Sequence, residues 1–102
     1  MQITQTELNK LKEYISGRIS YAKYYSGGEG YRIDVNKITV LSDGRIAIYI
    51  LFPSDIQNQI DRIEFYTANN EIFASGTETL NTAAAGGDVL YRYTITITQA
   101  NE

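Results

Sequence analysis

Apolar residues recur every three or four positions at the start of this chain and every second position later on. Leu8, Leu11, Ile15, Ile19 and Ala22 follow the first spacing, which lines one side of an α-helix. Thr4 and Glu7 have the separation of a capping box, and Thr6 is a second cap candidate just before Leu8. Gly17 falls inside the stretch, where it costs about 1 kcal/mol relative to Ala, and SGGEG at residues 26–30 ends it. The pattern predicts a helix over about residues 5–25.

From Tyr31 the period becomes two. Tyr31, Ile33 and Val35 alternate in one register and Ile38 and Val40 in the other, so one residue is inserted near Asn36 and Lys37, as a β-bulge would do. The run KITVLSDGRIAIYILF predicts a hairpin. A two-residue Asp43-Gly44 turn would oppose Val40 to Ala47 and mix the faces. A three-residue loop, Ser42-Asp43-Gly44 with Gly44 left-handed, opposes Val40 to Ile46 and Ile38 to Ile48 and gives one apolar face. A second hairpin, RIEFYTANNEIFASG, has Asn69-Asn70 as a type I′ turn, opposing Phe65 to Ala74, Thr67 to Ile72 and Tyr66 to Phe73. Residues 81–88, NTAAAGGD, read as a loop. The last strand, VLYRYTITIT, alternates apolar Val89, Tyr91, Tyr93, Ile95 and Ile97 with Leu90, Arg92 and three threonines.

One helix followed by five or six strands within about residues 31–98 makes an α+β domain spanning 1–102, the helix packed on a twisted, mainly antiparallel sheet. A small β-sandwich with a peripheral helix is the alternative. The expected inward set is Leu8, Leu11, Ile15, Ile19, Ile38, Val40, Ile46, Ile48, Ile50, Ile63, Phe65, Ile72, Ala74, Tyr93, Ile95 and Ile97.

Composition narrows the function more than it defines it. With no Cys and no His, disulfides, thiolate nucleophiles, most zinc sites and the usual hydrolase triads are excluded. A formal charge of −3 argues against a broad nucleic-acid footprint. The longest apolar run, IAIYILF, falls far short of the ~20 residues of a membrane-spanning helix. The start, MQITQTELNK, lacks the basic and apolar regions of a signal peptide, which predicts a protein that begins in a cytoplasm.

Little here points to catalysis. SGGEG lacks the preceding strand, the Lys and the Ser or Thr of a phosphate-binding loop, and Glu29 would repel phosphate, so it reads as a connector. Asp34, Asp43, Asp55, Asp61, Glu64 and Glu78 are scattered without calcium-loop spacing. Asp43 reads as a turn residue and Asp55 as a cap after Pro53. An enzyme would need a carboxylate such as Asp34 or Asp61 enclosed by apolar walls. The expectation is a non-enzymatic protein with no cofactor and no metal.

Tyrosine is the unusual signal, nine residues with no Trp. Tyr14, Tyr21 and Tyr25 align beside the helix stripe with Arg18 among them. They read either as core-margin rings with wet hydroxyls or as a recognition surface, since Tyr and Arg are enriched in interface hot spots. Tyr49, Leu51, Tyr66 and Phe73 form a second candidate patch on the reverse of the sheet, which one helix leaves uncovered. That surface predicts a second layer, a neighbouring subunit or a ligand, hence a homo-oligomer or a particle component. The alternative is a small ligand- or peptide-binding module with an aromatic-lined sheet face.

The segment Ile38 to Ile97, with its DGR hairpin, the run IEFYTANNEIFASGTETL and the closing LYRYTITI, resembles small structural proteins of tailed bacteriophages and prophages. The resemblance covers about 60 residues and rests on strand texture and turn placement. It implies a virion or assembly component that contacts its neighbours through sheet faces and edges in a symmetric array.

Overall fold

The capping signal at the amino end is used. Glu7 N–H donates to Thr4 Oγ1 at 3.3 Å and Leu8 N–H to the Thr4 carbonyl at 2.9 Å, starting α1 over Gln5–Arg18. The computed structural model describes residues 2–55, 59–82 and 86–97, so residues 83–85 of the expected loop and Thr98 lie outside the described residues.

The helix ends seven residues before the expected 25, because Ile19 is already extended and Tyr21–Ser26 form strand β1. Tyr21, Tyr24 and Tyr25 favour a pleated surface, and this segment is hydrogen-bonded on both sides, to β2 (Glu29–Asp34) and to β5 (Gln59–Tyr66). A helix could satisfy the same backbone groups but could not bury both Ala22 and Tyr24 between sheets. Gly27 and Gly28, at φ 59° and 87°, make the tight turn between β1 and β2, so SGGEG closes a hairpin rather than a helix.

Strands β3 (Lys37–Val40), β4 (Ile46–Phe52), β6 (Ile72–Asn81) and β7 (Val89–Ile95) complete the fold. They form a four-stranded antiparallel sheet in the order β2-β1-β5-β6 and a three-stranded one in the order β3-β4-β7. The register change near Asn36 is therefore a crossing from one sheet to the other, not a bulge.

The β3–β4 hairpin has the expected loop: Gly44 is left-handed at φ 90°, with Val40 opposite Ile46 and Ile38 opposite Ile48. The β5–β6 hairpin repeats that geometry instead of a type I′ turn. Leu41 N–H donates to Arg45 O and Gly44 N–H to Leu41 O; likewise Thr67 N–H donates to Glu71 O and Asn70 N–H to Thr67 O. Asn70, at φ 64°, stands where Gly44 stands. The longer loop keeps Phe65 opposite Ala74 but sets Tyr66 opposite Ile72, with Phe73 displaced into the core margin.

One core lies between the sheets. Ala22, Tyr24, Ile60, Ile63 and Phe65 come from the four-stranded sheet, and Ile46, Ile48, Ile50 and Phe52 from the other. Phe52 meets Tyr24 edge-on at 5.4 Å, and Phe65 meets Tyr93 at 5.2 Å. Each such side chain contributes roughly 1.5–3 kcal/mol when fully buried. The α+β class holds, with seven strands in two sheets among the described residues; the layering is that of the sandwich alternative, since the only buried residue of α1 is Lys12. Leu11, Val40 and Ile72 of the expected inward set are exposed: Leu11 because the sheets face each other instead of the helix, Val40 at the end of an edge strand, Ile72 because the hairpin register shifts. No helix among the described residues is long and apolar enough to cross a membrane.

Candidate interaction faces

Alternation in β1 and β5 sends Tyr21, Lys23, Tyr25, Arg62, Glu64 and Tyr66 to the outer face of the four-stranded sheet while Ala22, Tyr24, Ile63 and Phe65 enter the core. Tyr21 and Tyr66 are register partners and stack at 5.1 Å with ring planes 5° apart. Cations cover them: the Arg32 guanidinium lies 4.1 Å from the Tyr21 ring centre and Lys23 Nζ 5.0 Å from that of Tyr66. Tyr21 OH donates to Asn70 Oδ1 at 2.8 Å, tying this face to the β5–β6 turn.

Glu64 is the electrostatic centre of the face. It is only 4% exposed and accepts from Tyr25 OH at 2.6 Å and Tyr66 OH at 2.7 Å on one oxygen and from Arg62 at 2.8 Å on the other. Burial by itself raises this carboxyl, but the two hydroxyls and the guanidinium outweigh it and hold the group below the usual glutamate range. The Tyr66 phenol is pushed well up by its bond to Glu64 and by burial. A carboxylate with both oxygens engaged and a lowered proton affinity is a weak base, and its three donors tie β1 and β5 together on this face.

The outer face of the three-stranded sheet is built differently. Tyr49 in central β4 stands between Lys37 on β3 and Arg92 on β7, with Lys37 Nζ 6.0 Å from its ring centre. One row along, Leu51 is paired across strands with Leu90, and they are 39% and 57% exposed. No further layer among the described residues covers these two side chains.

The expected helix group is divided: Tyr14 and Arg18 lie on α1, Tyr14 exposed and Arg18 half-buried, whereas Tyr21 and Tyr25 sit on β1. The expected reverse-face patch is divided too. Tyr49 and Leu51 share the outer face of the three-stranded sheet, Tyr66 lies on the outer face of the four-stranded sheet, and Phe73 packs against the core. The covering of the sheet that motivated the patch is thus supplied largely by the second sheet of the same chain. Sequence reasoning missed Arg62, Glu64 and Leu90; the two-residue spacing of Arg62 and Glu64 in a strand, and of Leu90 and Arg92, marks them as face neighbours once the strands are known. Asp34 and Asp61 are exposed, Asp34 in a cleft it shares with Ile33, Val35, Leu51 and Pro53, and no group of three carboxylates that could hold a metal occurs among the described residues. The chain matches no protein-family model, no curated protein and no solved structure.

Proposed function

We propose that this is a non-enzymatic assembly protein that associates with further copies of itself through the outer face of the three-stranded sheet. The observation that carries the reading is the exposed cross-strand pair Leu51–Leu90 beside Tyr49, Lys37 and Arg92. Aromatic, arginine and large aliphatic groups together on an exposed sheet face are the composition of an interface centre. The flanking cations stand on a chain of net charge −3, so like would not face like comfortably. A head-to-tail contact, in which this face meets a more acidic surface of the next copy, relieves that repulsion and generates rings or filaments. The resemblance of the Ile38–Ile97 strands to tailed-phage and prophage structural proteins supports placing such an array in a virion or its assembly intermediates.

Sedimentation from micromolar to millimolar concentration tests this, with the wild type compared to a Leu51→Ser, Leu90→Ser double variant. The wild type is expected to form salt-sensitive oligomers and the folded variant to stay monomeric. A wild type that remains monomeric throughout, or a variant that associates equally, would overturn the proposal. For the alternative of a ligand-binding module with an aromatic-lined sheet face, Tyr49, Tyr66 and Phe73 do not form one face, since Tyr49 and Tyr66 stand on the outer faces of different sheets and Phe73 packs against the core.

A further inference from the structure

Lys12 occupies a place in α1 where an apolar residue would be expected, four positions after Leu8 and three before Ile15. It is 6% exposed, yet its Nζ has no hydrogen-bond or ion-pair partner among the described residues; the Ser16 hydroxyl donates to its backbone carbonyl at 2.8 Å, not to the side chain. Burying an ammonium without a partner is among the costlier arrangements a small domain can hold. No fully enclosed side-chain nitrogen or oxygen among the described residues lacks a partner, so the Nζ keeps an opening to solvent.

That opening is a cleft of about 450 Å³ between α1, the β3–β4 turn and residues Thr96 and Ile97 after β7. The Nζ reaches the turn at Gly44, lying 2.9 Å from the point where a Cβ would stand on that residue, so the glycine makes the room as well as the left-handed turn. Leu8 and Ile97 give the cleft an apolar wall, and Ser42 and Thr96 bring hydroxyls. Its other charges cancel: Arg45 N–H and Nε bind the two oxygens of Asp43 at 3.1 and 2.8 Å. One positive charge is left over.

We propose that this cleft binds a small aliphatic monocarboxylate, its carboxyl group on Lys12 and its chain against Leu8 and Ile97. A single uncompensated cation matches the single negative charge of a carboxylate better than the double charge of phosphate. The apolar wall selects an alkyl tail over a bare inorganic ion. The site is separate from the sheet face invoked for assembly, and neither reading depends on the other.

Titration of the protein with hexanoate, followed by amide NMR shifts, tests it, with hexanamide and inorganic phosphate as comparison probes and Lys12→Met and Lys12→Arg as variants. Hexanoate is expected to shift Ser42, Gly44 and Arg45 saturably, binding at least about tenfold more tightly than either comparison probe. Lys12→Met should lose at least about tenfold in hexanoate affinity while Lys12→Arg stays within a few-fold of the wild type. Because Lys12→Met removes an ammonium that has no partner among the described residues, its thermal midpoint should equal or exceed that of the wild type without ligand, and hexanoate should raise the midpoints of the wild type and Lys12→Arg but not that of Lys12→Met. Absence of saturable hexanoate shifts in the wild type, phosphate binding as tightly as hexanoate, or undiminished binding by Lys12→Met would each overturn the assignment.

Discussion

Tyr25 and Glu64, 39 positions apart, are joined by a 2.6 Å hydrogen bond on the outer face of the four-stranded sheet. The bond exists because β1 and β5 lie side by side with Tyr25 opposite Arg62, which sets the tyrosine diagonally across from Glu64. Tyr66 reaches the same oxygen from two positions further along Glu64's own strand. A carboxylate is thus stored almost out of water at a point where three donors converge.

Glu64→Gln keeps the shape and replaces one acceptor oxygen by a donor that faces donors. It is expected to destabilise the fold by about 1–3 kcal/mol, read from urea denaturation at neutral pH. The folded-state proton affinity of Glu64 is lowered, so its contribution is fully present above the ordinary glutamate value of about 4.3 and fades as pH falls through the lower, folded-state value. The gap between wild type and variant should therefore narrow on acidification. A gap that widens in acid would contradict the network.

Tyr91 spans the sandwich at its β6–β7 side, its hydroxyl donating to Glu78 on the opposite sheet. Burial and then Glu78 push this phenol well above the ordinary tyrosine range, as Glu64 does for Tyr66. A phenol held protonated in the fold stabilises it fully below its unfolded value of about 10, and that stability is lost as pH rises through the raised values. Tyr91→Phe should cost about 0.5–1.5 kcal/mol at neutral pH and make the loss of stability in alkali shallower, as measured by denaturation across the alkaline range. Equal slopes for variant and wild type would show that the bond is not kept in solution.

The two hairpins offer a comparison of one loop geometry in two chemistries. Gly44→Ala forces a Cβ into a left-handed position and against Lys12, with an expected cost of about 1–2 kcal/mol. Asn70→Gly relaxes the same backbone position and removes only the acceptor used by Tyr21, so its effect should stay within about 1 kcal/mol. Thermal midpoints of the two variants decide the order; a reversed order would mean that the turns are not equivalent.

Adjacent residues on β4 test the facing of the sheets. Phe52→Ala empties a fully buried position beside Tyr24 and should cost about 3–5 kcal/mol, a large part of a small domain's stability. Leu51→Ala, one residue earlier and on the outer face, should change monomer stability by no more than about 0.5 kcal/mol in dilute denaturation experiments. Similar costs at both positions would refute the assigned alternation.

Much of this protein was determined by local chemistry. Thr4 caps α1 because its hydroxyl is in reach of an unpaired amide, and Ile38 and Val40 find Ile48 and Ile46 because only a three-residue loop keeps like faces together. Period two in VLYRYTI fixed which side of β7 enters the core. What the tertiary structure alone decided are the choices in which two local readings compete. Residues 19–25 carry a helical spacing and a strand composition at once, and pairing with β2 and β5 on both sides, which no local pattern records, made them β1. The same holds for the crossing after Asp34: a register change looks alike in sequence whether the chain bulges or leaves for another sheet. Glu64 and Lys12, the two buried charges with most bearing on stability and binding, belong to this class, because their surroundings come from segments far away in the chain.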